Sequence, residues 1–166
     1  MKVAKRYSFN NGLETIGKDR PEELAEVFDA IGRVNPKTCE TKVDGLYSPK
    51  LVAAKIMANL EGIGWSKPKT RFDGTEYDIL GDGLKNGVGV EIQFGPYAFL
   101  GWDSMRKMVA FAKNGVYQFG IEVTPVARLR QRMSKGVGSY EQVIDRLQKN
   151  PNPELKIPVI ILGIDA

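Results

Sequence analysis

The chain of 166 residues contains no histidine. Ser-His-Asp and Cys-His catalysis, imidazole general bases and His-held metals are excluded together. Its single cysteine, Cys39, excludes an internal disulfide framework and a multi-cysteine zinc site. With no histidine to activate it, that thiol reads as an ordinary one. No apolar run reaches the roughly 18 residues that a membrane span requires. The opening residues Met1-Lys2-Val3-Ala4-Lys5-Arg6 are followed by no apolar stretch, so no secretory signal is expected. Catalysis, if any, must therefore rest on carboxylates, amides, hydroxyls, Lys or Tyr. A net charge of +4 leans toward anionic partners. The length suits one domain over residues 1–166, and a cytoplasmic protein is expected.

The pattern of apolar residues mixes strands with helices. Val3 to Phe9 reads as a strand and Asn11-Gly12 as a turn. Arg20 to Arg33 reads as a helix, with Pro21, Glu22 and Glu23 suited to its first turn and Leu24, Val27, Phe28 and Ile31 forming a stripe. Ser48-Pro49 opens a second helix reaching about Glu61. Glu76 to Leu80 alternates like a strand, 81–87 reads as a connecting loop, and Val88 to Phe94 as a further strand. A helix is expected over about Phe99 to Lys113, a β-rich run over Val116 to Val123, and a helix over Tyr140 to Gln148. Pro158 to Ile164 is an apolar run of the kind buried on both faces. The expected class is α/β, with a central mixed β-sheet flanked by α-helices. Trp65 and Trp102 read as core anchors.

One strand is unusual. In Val88-Gly89-Val90-Glu91-Ile92-Gln93-Phe94, residues Gly89, Glu91 and Gln93 share one face. Two polar side chains within an otherwise apolar strand cost stability unless something answers them. Gly89 on that face leaves room for a ligand or another backbone. A preceding hairpin centred on Leu84-Lys85 places Asp78 opposite Glu91 and Asp82 near the loop. Two facing carboxylates repel unless a cation lies between them, and oxygen ligands alone favour Mg²⁺. If that register is wrong, Asp82 is the ligand in place of Asp78.

Asp78, a hairpin and then Glu91-x-Gln93 resemble the PD-(D/E)xK nuclease core in a variant with Gln at the usual Lys position. The stretches Gly74-Thr75-Glu76-Tyr77-Asp78, Val90-Glu91-Ile92-Gln93-Phe94 and Tyr97-Ala98-Phe99-Leu100 are similar to the BglII-type restriction endonucleases. The Ser139-Tyr140-Glu141-Gln142 helix start and the closing Ile157 to Gly163 strand extend the likeness. The resemblance implies a restriction-endonuclease-like core and Mg²⁺-dependent hydrolysis of double-stranded DNA by a homodimer at a short palindrome, relatives of this kind preferring ones centred on GATC. It implies that Asp78 and Glu91 hold the ion with the Ile92 carbonyl, and that Gln93 orients the attacking water. A further upstream family position has no clear match, Ser66 and Glu61 being nearby. A structure-directed or repair nuclease on the same core, and a nuclease-like DNA-binding protein without catalysis, are the alternative readings.

The segment Arg128-Leu129-Arg130-Gln131-Arg132-Met133-Ser134-Lys135-Gly136 holds four cations and no acid. As a loop between a strand and a helix, Arg128, Arg130, Arg132, Ser134 and Lys135 could grip phosphates or read base edges. The resemblance places this loop at the major groove. Lys67 and Lys69, with Arg71, form a second basic cluster suited to backbone contact.

Overall fold

The computed structural model describes residues 1–42, 45–72, 74–96 and 102–166, and no side chain of 102–104. Three parallel strands form the centre: β5 (Val88–Ile92), β6 (Phe119–Pro125) and β7 (Val159–Asp165). Antiparallel strands close the two edges, β1 (Lys2–Phe9) on β7 and β4 (Gly83–Lys85) on β5, giving the order β1-β7-β6-β5-β4. Every residue of β5 and β7 is buried. That is the reason the closing run is apolar throughout, as parallel strands covered on both faces are. A separate two-stranded ribbon pairs β2 (Lys69–Arg71) with β3 (Asp78–Leu80). The expected mixed sheet flanked by helices is present.

Helices cover the sheet, and their ends are set by local sequence. Helix α2 (Pro21–Gly32) starts with proline in its first turn and carries Glu22 and Glu23 at its positive end. Helix α3 (Pro49–Glu61) is capped by Ser48, whose side chain accepts from the Leu51 N–H at 3.2 Å. Helix α4 (Trp102–Lys113) connects β5 to β6 and buries Met105, Met108, Val109, Ala110 and Phe111. The short α5 (Ala127–Gln131) and α6 (Tyr140–Lys149) connect β6 to β7. Ser139 and Gln142 cap α6 reciprocally, each side chain on the other's backbone N–H. Trp65 is a core anchor as expected, 3% exposed, with its Nε1–H donating to Glu26 at 2.8 Å. The Trp102 side chain lies outside the described residues.

Asn11-Gly12 does not simply turn the chain; it opens helix α1 (Gly12–Asp19). Asn10 and Asn11 both take left-handed backbone (φ 49° and 57°), a conformation Asn tolerates, and this bends β1 directly into the helix. Gly12 then lies against β7, where an added Cβ would come within 2.1 Å of the Val159 carbonyl oxygen.

The room left by Gly89 is also filled from within. A Cβ there would sit 2.3 Å from the Tyr117 ring, which stacks on Phe111 with centroids 4.4 Å apart. Gly89 thus admits an aromatic side chain of the same chain. Gly89→Ala should lower stability by about 2 kcal/mol, within the range for overpacking a tight interior. Urea unfolding would measure this; an unchanged midpoint would show that Tyr117 can move aside at no cost.

Candidate active site

The centre of the site is the β4–β5 hairpin. Its turn is Asn86-Gly87, with both residues at positive φ (46° and 81°), the pattern of a two-residue turn matched to strand twist. Gly83 pairs with Val90, Leu84 with Gly89 and Lys85 with Val88. Extending that register by one residue sets Asp82 opposite Glu91. Asp82 Oδ2 accepts from the Ile92 backbone N–H at 2.7 Å, which holds the carboxylate beside the end of β5.

Asp78 therefore does not face Glu91, contrary to the expectation from a hairpin centred on Leu84-Lys85. It pairs with Arg71 across the β2–β3 ribbon. Its carboxylate is bound by Lys69 Nζ at 2.7 Å and Arg71 Nε at 3.2 Å. The bonds from Lys69 and then Arg71 hold its pKa below the usual carboxylate value. The missed signal was in the sequence: Asn-Gly is the strongest two-residue hairpin turn, and centring on it gives the observed register.

Glu91 is only 2% exposed and is answered from two other elements. Lys107 Nζ on α4 reaches Oε2 at 2.8 Å, and the Tyr117 hydroxyl donates to Oε1 at 2.9 Å. Burial pushes the Glu91 pKa up to about 7; the Lys107 ammonium opposes this, and the Asp82 carboxylate adds to the rise. Burial likewise raises the Tyr117 hydroxyl, so Tyr117 stays a donor. Glu122 on β6 is next to Glu91 in register and fully buried, which places a third acid on the same face. Sequence reasoning found neither Lys107 nor Tyr117. Only the crossover that lays α4 over β5 brings Lys107 to the site; the one local hint of Tyr117 was the small residue at Gly89.

The donors at the β4–β5 end suit a hard cation. Asp82 and Glu91 face each other as like charges, and the Asp82 carboxylate adds to the rise of the Glu91 pKa. A strand residue directs its N–H and C=O to the same edge, so the Ile92 carbonyl lies on the side of Asp82. Among the described residues no group of three or more His, Cys, Asp or Glu gathers around one point. Two carboxylates, a carbonyl and open positions for water or phosphate are what Mg²⁺ accepts. Gln93 follows β5, its N–H bonded to the Val123 carbonyl at 2.8 Å.

A cleft of about 480 Å³ opens beside this strand end. Ile92, Phe94 and Pro96 form one wall, Ser48 and Lys50 at the start of α3 another, and Ser134 and Lys135 a third. An isolated bridge between Pro96 and Val137 fastens the basic segment to the outgoing strand. The segment is not the open loop expected, since α5 forms within it. Arg128 is bonded to Asp165, Arg130 Nε to the Val137 carbonyl at 2.7 Å, and Arg132 Nε to the Gly45 carbonyl at 3.1 Å. The Arg132 guanidinium also lies 4.4 Å from the centre of the Tyr47 ring. Lys67 pairs with Glu61 at 3.2 Å, and Lys69 is occupied by Asp78. Ser66 bridges to Leu84 on the outer edge of β4, near Asp82, whereas Glu61 is turned to Lys67. The Tyr97-Ala98-Phe99-Leu100 stretch lies outside the described residues.

Comparison with known proteins bears on this arrangement. The family model described as "Restriction endonuclease BglII/BglIII" matches residues 4–164. Among solved structures, the chain is similar to "Crystal structure of free BglII", with 18% identity, a TM-score of 0.73, and coverage of 100% of this chain and 80% of that one. It is also similar to "Crystal structure of restriction endonuclease BGLII complexed with DNA 16-mer", with 17% identity, a TM-score of 0.77, and coverage of 100% and 79%. At these identities the solved structures speak for the fold. No curated protein matches the chain.

Titration of Glu91 should be visible in stability. Folded, it holds its proton up to about pH 7; its ordinary value is 4.5. Between those values the unfolded chain has released the proton while the folded chain keeps it, so rising pH destabilises the fold. Glu91→Gln removes this linkage. From about pH 5 to about pH 8 the variant should gain on the wild type by up to about 3 kcal/mol in urea unfolding. A stability difference that does not change with pH would contradict the raised pKa.

Proposed function

Because the chain belongs to the restriction endonuclease BglII/BglIII family, whose members are type II site-specific deoxyribonucleases, we propose that it cuts double-stranded DNA at a short palindrome with Mg²⁺. The observation that carries this reading is the Asp82 carboxylate bonded to the Ile92 N–H, one residue past the Gly83–Val90 pair and so opposite Glu91, at the end of a strand that runs on into Gln93. Asp82 here takes the role first assigned to Asp78. In this proposal residues 1–166 act as one nuclease domain in the cytoplasm. A homodimer would match two-fold protein symmetry to the palindrome, one site cutting each strand. A site centred on GATC remains part of the proposal through the resemblance alone. No helix among the described residues is long and apolar enough to cross a membrane.

Asp82, Glu91 and the Ile92 carbonyl would hold the ion. A bound Mg²⁺ supplies Lewis-acid stabilisation of charge on the phosphate and lowers the pKa of water. Tyr117 donates to Oε1 of Glu91 and so fixes the plane of that carboxylate. The Gln93 amide can orient the attacking water but cannot take its proton, so that proton must pass to solvent or to a phosphate oxygen. Water adds to phosphorus in line and one P–O bond breaks, leaving a phosphate and a hydroxyl. The cleft lined by Lys50, Ser134 and Lys135 would receive the backbone.

The direct test is to incubate mixed DNA with the protein and Mg²⁺ and sequence the ends. One recurring palindrome is expected; scattered ends would favour a nuclease of another specificity. Asp82→Ala and Glu91→Ala should each slow cutting at least about a thousandfold, about 4 kcal/mol of transition-state stabilisation, while DNA is still bound. Asp78→Ala should stay within about threefold of the wild type, since its ion pairs are on the surface. The reverse result would return the metal to Asp78. Lys135→Ala should weaken DNA binding and reduce the salt slope by about one. Binding with an unchanged salt slope would remove Lys135 from the phosphate contacts.

A further inference from the structure

We propose that Lys107 is a built-in competitor for the divalent ion: its ammonium occupies the cation position at Glu91 until the ion displaces it. This rests on the reading of Asp82 and Glu91 as the metal carboxylates.

The argument begins with burial. Glu91 is 2% exposed, and a carboxylate so placed requires either a proton or a counter-cation. Among the described residues Lys107 supplies that cation, 2.8 Å from Oε2. The other oxygen, Oε1, is taken by the Tyr117 hydroxyl at 2.9 Å. An ion shared between Glu91 and Asp82 must bind Glu91 through one of these two oxygens. Tyr117 is poorly placed to yield, because its ring is held between Gly89 and Phe111 and its residue is 1% exposed. Lys107 is on a flexible stem with its side chain 29% exposed, so its head can move toward water. Oε2 is therefore the oxygen that changes partner, and a monovalent and a divalent cation compete for it. Two positive charges beside one carboxylate would repel, so the exchange is close to all-or-none.

Two consequences distinguish this from a purely structural ion pair. The ammonium must be released when the ion binds, and removing Lys107 must make the fold more responsive to the ion. The first is tested on the wild-type protein without DNA, by amine-reactive labelling and mass spectrometry with and without saturating Ca²⁺. Labelling of Lys107 should accelerate at least about threefold with Ca²⁺, while Lys5, paired with Glu141 at 2.8 Å, serves as the unchanged control. The second compares Lys107→Met with the wild type by thermal unfolding at increasing Ca²⁺. The variant should melt earlier without the ion, and its rise in Tm with Ca²⁺ should exceed that of the wild type.

Equal labelling of Lys107 with and without Ca²⁺, or equal Ca²⁺-induced rises in Tm, would overturn the proposal. If Ca²⁺ stabilises the wild type in a manner abolished by Asp82→Ala but leaves Lys107 labelling unchanged, the metal site stands and only the role of Lys107 falls. If Ca²⁺ has no effect on either protein, the metal assignment and the competition fall together.

Discussion

A carboxylate held inside a buried parallel strand is the constraint to which the rest of the site answers. Glu91 is on β5, where all five residues are buried. A lone charge there would cost several kcal/mol. The chain meets that cost with contacts from distant parts of the sequence: Lys107 from the crossover helix and Tyr117 from the approach to β6. The glycines nearby follow from the same demand. At Gly81 a Cβ would meet the Tyr117 hydroxyl at 2.3 Å and Glu91 Oε1 at 3.1 Å. Gly81 and Gly89 together form the slot that lets an aromatic hydroxyl reach a buried acid. Bare backbone around a candidate active site is here a packing solution for a protein side chain.

Parallel pairing determines where this site opens. β5, β6 and β7 all end at one edge of the sheet, so Glu91-Ile92-Gln93, the start of α5 and Asp165 are delivered to the same side. Ligand sites of open α/β sheets form outside the carboxyl ends of strands for this reason. Glu141 strengthens that edge by accepting from Lys5 of β1 and from the Ala127 N–H at the head of α5, both at 2.8 Å. The cleft opens at this same strand end but on the face of β5 that carries Ile92 and Phe94, opposite the face of Glu91 and Gln93, and it brings together Ser48 and Ser134, which are far apart in sequence.

Much of this was legible in the residues. Alternation along Val88 to Phe94 placed Glu91 and Gln93 on one face, and the apolar run after Pro158 announced a strand covered on both sides. Ser48 and Ser139 marked helix starts that the structure contains. Partner choice across the hairpin was misread because two turns competed in one short stretch, and the Asn86-Gly87 signal was passed over for a symmetric loop. One shifted centre moved the facing acid from Asp82 to Asp78, which shows how strongly register depends on the turn. Lys107 was beyond any local pattern. It is one lysine on an amphipathic helix, and only the path of the crossover tells which lysine meets the acid.

Charge counted along the sequence also differs from charge available at the surface. The basic clusters appeared suited to a polyanion, yet Lys67 is matched by Glu61, Lys69 and Arg71 by Asp78, and Arg128 by Asp165. Arg130 and Arg132 bond to carbonyls of their own chain. These cations help hold the ribbon, α5 and the chain near Tyr47 in place; the bonds of Arg130 and Arg132 to those carbonyls run through Nε, one of the five N–H donors of a guanidinium. Lys50 and Lys135 differ: both are exposed and line the cleft beside β5. Two exposed cations not joined in sequence thus meet at the mouth of the cleft. Arg130 bonded to Val137 and Arg132 stacked on Tyr47 hold the arginine-rich segment that carries Lys135.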